Sequence, residues 1–281
     1  MTTSIQPGTD VSERRTILRA AGIGKYFGSV VALHDINLDV YDDEVVGLVG
    51  DNGAGKSTLI KILSGNFRPD VGTIQLEGRE IRLGSPADAR ALGIETVYQD
   101  LALCENLDSV YNFFIGREIY RRVFGFRLLQ HKEMERRTRE TLSRFGTHIP
   151  SMRDRVEYLS GGERQSVALG RFIRWGDKLV LLDEPTAALG VRETRNALDL
   201  IAWTRREKHV SMIFISHNIE HVFHLADRIV VLRNGEVAGV RETRATTPVE
   251  IVGLMTGSLL ASPERAAVMQ EGGGPRLDAT D

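Results

Sequence analysis

A single cysteine, Cys104, is the only thiol in this 281-residue chain, which excludes an internal disulfide and fits a reducing compartment. Long apolar runs are also missing. Leu179–Leu182 and Val45–Val49, the latter interrupted by Gly47, fall far short of the ~20 residues of a membrane-spanning helix. The N-terminus carries Asp10 and Glu13 and no apolar stretch, so no secretory signal is expected. Neither sign of charge dominates: 36 Lys and Arg against 38 Asp and Glu leave a formal net charge of −2, so no global field favours nucleic acid. No internal repeat is visible, which excludes two tandem copies of one domain. What remains is an ordinary globular mixture, 42% hydrophobic and 26% charged, and collagen-like, coiled-coil and wholly disordered architectures drop out. The chain is long enough to bury a core without disulfides or metals.

Polar, aperiodic stretches at 1–15 and 258–281 read as flexible tails around one domain over 16–257. Ile17–Ile23 and Val30–Val40 alternate apolar and polar residues, as half-buried antiparallel strands do. Val45–Val49 is nearly continuous and β-branched, which suits a central strand buried on both faces. A helix is expected from about Lys56 to Gly65, a hairpin over Thr73–Leu83 turning at Glu77-Gly78, and a short strand at Glu95–Gln99. Residues 105–158 change character, with helical periodicity in Leu128–Phe145 and nine basic against four acidic residues from Arg117 to Arg144. A helical subdomain inserted at about 100–160 is the expectation, its basic face solvated or docked on a partner. Strands at Lys178–Asp183 and Val210–Ser216 then alternate with helices at Gly162–Trp175, Val191–Lys208 and Asn218–Leu225, which implies a parallel sheet with crossovers. A last hairpin, Arg228–Arg233 with Glu236–Arg241, turns at Asn234-Gly235. The fold class is therefore α/β: a mixed central sheet, an N-terminal antiparallel β subdomain and an inserted α-helical subdomain.

Gly50-Asp51-Asn52-Gly53-Ala54-Gly55-Lys56-Ser57 matches the phosphate-binding G-x-x-x-x-G-K-[ST] loop, with a buried strand before it and a helix after it. Glycines let successive backbone N–H groups curl around phosphates, and the helix adds unpaired N–H groups and a positive dipole end. Lys56 supplies a mobile charge for the β- and γ-phosphates, and the Ser57 hydroxyl can ligate Mg²⁺. Further on, Leu179–Leu182 delivers Asp183 and Glu184 to the carboxyl end of a strand, where open α/β sheets bind ligands. Asp183 is placed for Mg²⁺, and Glu184 for polarising a water in line with the γ-phosphorus. Leu159-Ser160-Gly161-Gly162-Glu163-Arg164-Gln165 opens a helix with a serine cap and two glycines, a second anion site. Two such sites are explained if one nucleotide is pinched between two chains.

This combination resembles the ATP-binding-cassette (ABC) transporter ATPases, whose signature loop reads LSGGQ; here the fifth residue is Glu163. The order P-loop, Gln99, signature, Asp183-Glu184 and His217 agrees, and the resemblance covers about 17–257. It implies the P-loop ABC ATPase fold and ATP with Mg²⁺ as cofactors, with the nucleotide held by Gly50, Asp51, Asn52, Gly53, Ala54, Gly55, Lys56, Ser57 and Thr58. Phe27 would stack on adenine, with Tyr26 as second candidate. Gln99 would contact Mg²⁺ or the attacking water, alongside Ser57 and Asp183. Ser160, Gly161 and Gly162 would touch the γ-phosphate of ATP held by the partner chain, and His217 would bond that phosphate and link it to Glu184. The loop after Asp183-Glu184-Pro185-Thr186 usually reads Ala-Leu-Asp, but here it is Ala188-Leu189-Gly190 and lacks the carboxylate.

Glu95–Leu103, Asn106-Leu107 and Phe114–Glu118 further resemble the single-cassette ATPases of bacterial monosaccharide importers of the ribose, xylose and fructose type. That resemblance implies an ATPase working as a homodimer on integral membrane permease subunits, at the cytoplasmic face of the plasma membrane. Through the permease it would serve a periplasmic sugar-binding protein, without direct contact to nucleic acid. Tyr111, Phe113, Phe114 and Ile115 are expected to form an exposed apolar groove for a permease helix over 99–118, with Arg117 at its rim. A soluble ABC protein acting on nucleic acid or ribosomes, and the ATPase of an exporter, are the alternatives. His217, His221 and His224 share one helix face, as zinc ligands can. No cysteine or further ligand lies nearby, so the phosphate role is preferred for His217 and packing for Cys104.

Overall fold

The computed structural model describes residues 14–98, 103–143, 149–187 and 189–259. The chain opens with two twelve-residue strands, β1 (Thr16–Phe27) and β2 (Val30–Tyr41), paired antiparallel with Phe27 opposite Val30. After β3 (Val45–Val49) and α1 (Lys56–Leu63) come β4 (Val71–Leu76) and β5 (Arg79–Ile81). Those two meet at Glu77-Gly78, both left-handed, as a type I′ hairpin requires. Next follow α2 (Pro86–Ala91), capped by Ser85, and β6 (Ile94–Val97). The inserted part holds α3 (Ser109–Phe114), β7 (Tyr120–Val123), β8 (Phe126–Leu129), α4 (His131–Ser143) and α5 (Gly161–Trp175). The remainder is β9 (Leu179–Asp183), α6 (Val191–Lys208), β10 (Ser211–Ile215), α7 (Ile219–Leu225), β11 (Arg228–Arg233), β12 (Glu236–Glu242) and α8 (Pro248–Thr256).

These elements build two main sheets. The antiparallel one runs β2-β1-β4-β5, and the larger runs β12-β11-β3-β10-β9-β6, parallel throughout except for the β11–β12 hairpin. Every residue of β3, β9 and β10 is buried, as their nearly continuous apolar runs require. On β3, Val46 and Leu48 join the core around α1 between the two sheets. Val45 and Val49 face the second core, under α6, α7 and α8. Gly47 is glycine because α7 crosses there: a Cβ would lie 2.5 Å from Val222 Cγ1. A buried bidentate pair, Arg228 Nε and Nη2 to Glu44 Oε1 and Oε2 at 2.8 and 2.9 Å, ties β11 to the turn between β2 and β3.

A third core belongs to the inserted part: Val110, Phe113, Phe114, Met134, Leu142, Ile149, Met152 and Val156 among others. Two expectations change here. Phe113 and Phe114 are buried, not groove-forming, with Phe114 edge-on to Trp175 at 5.5 Å; of the four, only Ile115 is exposed. The expected helix over Leu128–Phe145 is shorter, because Leu128 and Leu129 end a hairpin and α4 starts at His131. Phe124 and Gly125, both left-handed, close that hairpin, so the alternation of 120–129 is that of a strand pair.

Candidate nucleotide site

Three neighbouring parallel strands deliver the site. Residue pairs Leu48–Ile215 and Ile215–Asp183 bring the carboxyl ends of β3, β10 and β9 to one edge of the sheet. From β3 the chain enters Gly50–Gly55 and then α1. From β9 it leaves as Asp183-Glu184, and from β10 as Ser216-His217. The fourth parallel strand on this side, β6, pairs Val97 with Leu182. Gln99 itself lies outside the described residues.

The loop after β3 is built around its glycines. Gly50 and Gly55 have φ of 152° and 106°, and a Cβ would meet Leu232 O at 2.2 Å and Leu33 Cδ2 at 2.6 Å, so no other residue fits. The β11–β12 turn braces the loop, Gly235 N–H donating to Ala54 O at 3.1 Å. Backbone N–H groups of Gly55, Lys56, Ser57 and Thr58 have no acceptor among the described residues, so four donors face outward at a helix N-terminus. Lys56 Nζ donates to Gly50 O at 2.6 Å and Asp51 O at 3.0 Å, folded over the loop's carbonyls. Burial pushes its ammonium down, against the pull of Glu184, Asp51 and Asp183. The Ser57 hydroxyl is exposed and has no partner among the described residues.

Asp183 is only 8% exposed. Burial, reinforced by Glu184, pushes its carboxyl up, against Lys61 and Lys56. A carboxylate so placed is relieved by a cation, which fits a magnesium ion. Glu184 has a left-handed backbone (φ 50°), strain held by its N–H donating to Ile215 O at 3.1 Å. Its Oε2 lies 2.8 Å from His217 Nδ1. Lys56, Asp183, Glu184 and His217, read from three separate segments, thus share one charged cluster. Of the other histidines, His221 Nδ1 lies 3.4 Å from Thr186 Oγ1.

The second anion loop is separate. No hydrogen bond or ion pair among the described residues joins Ser160–Gly162 to Gly50–Thr58. Ser160 N–H and Oγ–H donate to Glu163 Oε2 at 2.8 and 2.7 Å, and Glu163 N–H donates to Ser160 Oγ at 3.3 Å. This capping box is legible in the sequence as S-x-x-E, and it gives Glu163 a task the signature motif alone does not. Gln165, also unassigned, donates from Nε2 to Pro185 O and so ties α5 to the loop after β9. Gly190 caps α6 without a side-chain bond, and Ala188 before it lies outside the described residues. Phe27 is 45% exposed, edge-on to Phe67 at 5.5 Å and with Lys25 Nζ over its ring at 5.5 Å; Tyr26 is exposed as well.

A glycine cradle, a lysine folded over it, a buried aspartate and a histidine-held glutamate on adjoining parallel strands define a P-loop NTPase. Residues 33–187 match the ABC transporter family. The chain is 45% identical over 256 residues to the fructose import ATP-binding protein FrcA of Rhizobium meliloti, covering 90% of this chain and 97% of that one. It is 43% identical to the xylose/arabinose import ATP-binding protein XylG of Sulfolobus acidocaldarius, covering 87% and 95%. Against the galactofuranose transporter ATP-binding protein YtfR of Escherichia coli, at 41% identity, it spans 48% of the longer relative. A dimeric ATP-binding cassette in a post-hydrolysis state with ADP and Pi superposes with a TM-score of 0.69 at 22% identity, over 82% of this chain and 100% of that one. This chain belongs to the ABC transporter ATPase family and is an ATP-hydrolysing enzyme. Among the described residues, no helix is long and apolar enough to cross a membrane.

Proposed function

We propose that the chain is the energy-coupling ATPase of a monosaccharide importer, working as a homodimer at the cytoplasmic face of the plasma membrane. The observation that carries this reading is the near end-to-end likeness to two proteins named for sugar import. Gly50–Thr58 hold the phosphates through outward N–H groups and Lys56, and the partly exposed Phe27 stacks on the adenine. Asp183, with Ser57 and Gln99, would hold Mg²⁺, which when bound supplies charge neutralisation at the phosphates. Glu184 orients the attacking water, and His217 fixes that carboxylate while reaching for the γ-phosphate. Ser160, Gly161 and Gly162 of a second copy complete the site, which explains two anion loops on one chain with no bond between them.

The permease would dock at a cleft of about 220 Å³ between α2, β6 and α5, lined by Asn66, Arg90, Glu95, Tyr98 and Arg171. Tyr98, which lines this cleft, immediately precedes Gln99 in the sequence. Arg117 reaches Glu95 at 2.6 Å and clamps the inserted part to β6 at its edge. Reconstitution of the chain with its permease and binding protein in vesicles tests the reading. ATP-driven uptake of labelled fructose, xylose, arabinose or ribose, abolished by Lys56→Ala, is expected. Efflux alone, or ATP hydrolysis indifferent to every sugar and permease, would contradict it.

A further inference from the structure

The hairpin between α3 and α4 contributes no residue to the nucleotide site described above. β7 and β8 pair only with each other. Its tip residue Phe124 is 98% exposed, Phe126 is 73% exposed, and Tyr120 and Leu128 are exposed as well. The register puts Arg121, Val123, Phe126 and Leu128 on one face, and Tyr120, Arg122, Arg127 and Leu129 on the other. Residues 119–129 contain three arginines and no acidic residue. None of the three has an ion pair among the described residues, and Arg127 lies over the Tyr120 ring at 4.3 Å. The neighbouring helix α4 behaves differently: Arg136, Arg137 and Arg139 are each paired with a glutamate.

We propose that the Tyr120–Leu129 hairpin contacts an anionic phospholipid bilayer, its aromatic tip entering the headgroup zone and its arginines meeting lipid phosphates. Three observations favour lipid over a protein partner. The tip residue Phe124 is almost wholly exposed, and so offers a fluid interface a side chain to take up. Phenylalanine and tyrosine beside unpaired arginines is the side-chain chemistry of membrane interfaces. Uncompensated positive charge complements the anionic cytoplasmic leaflet, as carboxylate-free segments of this kind do. The placement rests on the proposed permease reading: Arg117, bonded to Glu95 at the docking cleft, stands three positions before the first strand of the hairpin.

Sedimentation of the full chain with protein-free vesicles tests this apart from transport. The chain should pellet with vesicles containing about a third phosphatidylglycerol, not with pure phosphatidylcholine, and the bound fraction should fall as NaCl is added. Phe124→Ser with Phe126→Ser, and separately Arg121→Gln with Arg122→Gln and Arg127→Gln, should each reduce binding about fivefold or more. Both variants should keep soluble ATPase activity, because these side chains are exposed and none belongs to the nucleotide site. Phe124→Trp should shift its emission to the blue on anionic vesicles and be quenched by brominated lipid. Equal binding by the hairpin variants, or no preference for anionic vesicles, would overturn the proposal. Emission from the Phe124→Trp variant that changes only when permease is present would also overturn it and assign the tip to a protein contact. Sugar uptake that fails while vesicle binding follows the hairpin would count against the transport reading alone.

Discussion

His217 Nδ1 stands 2.8 Å from Glu184 Oε2, a bond between residues that follow two adjacent strands, β10 and β9. It holds the Glu184 side chain in a direction its left-handed backbone already sets. Glu184→Gln should keep ATP binding while lowering turnover by about two orders of magnitude or more, and the variant should accumulate as an ATP-bound dimer. His217→Ala should bind ATP normally and lose about a hundredfold in turnover. Steady-state hydrolysis with a parallel nucleotide-binding assay separates the two quantities, and near-normal turnover in either variant would remove its residue from the mechanism.

Asp183 sets function against stability. Its carboxyl is pushed up in the folded chain by burial first and by Glu184 second. The folded state therefore binds that proton more tightly than the unfolded state. This contribution to stability is present at low pH and is lost as pH rises through the folded value, so at neutral pH the ionised group is a net cost. Asp183→Asn should raise the apo melting temperature, about 2–4 °C for each kcal/mol relieved, while abolishing Mg²⁺-dependent hydrolysis. Calorimetry of the nucleotide-free variant checks the sign, and a lower melting temperature would contradict the electrostatic argument.

Glu163 occupies the signature position usually held by glutamine, and its carboxylate accepts the Ser160 hydroxyl hydrogen bond. A glutamine there keeps both Ser160 hydrogen bonds through its carbonyl oxygen, as Oε2 does now, but removes a negative charge beside an anion loop. Glu163→Gln should therefore lower the ATP concentration for half-maximal hydrolysis by about fivefold, the worth of roughly 1 kcal/mol. Glu163→Ala should instead lose the cap and destabilise the chain by about 1 kcal/mol. A titration of rate against ATP for both variants distinguishes charge from capping.

Much of this site is readable in the sequence. The phosphate loop is legible because only glycine accepts the backbone of Gly50 and Gly55, so the requirement is written as residue identity. Strands β3, β9 and β10 announce themselves as nearly continuous apolar runs, because a strand buried on both faces leaves little room for polar side chains. The inserted part is less legible. α3 is six residues long, too short to display a helical period, and what buries Phe114 is Trp175, from the far end of α5. Arginines between apolar residues in 120–129 fit a helix face and a hairpin equally, and only the Phe124-Gly125 turn decides.

The burial of Phe114 changes what its substitution does. Phe114→Asp would place a charge in the third core, beside Phe113 and Trp175, and should destabilise the inserted part by more than about 3 kcal/mol, roughly the cost of emptying an aromatic site. Hydrolysis and uptake should fall together, with early loss of structure in thermal or chemical unfolding. A well-folded Phe114→Asp chain deficient only in uptake would place the residue on a docking surface instead.

On the proposed function, each ATP is hydrolysed between two copies of this chain. Neither Lys56→Ala, which empties the phosphate loop, nor Ser160→Arg, which blocks the second anion loop, should hydrolyse ATP alone. Mixed dimers of the two hold one site with both defects and one with neither. Hydrolysis by tagged, purified mixed dimers is the measurement. Activity near half that of the wild-type dimer is expected; mixed dimers as inactive as their parents would contradict a site shared between chains.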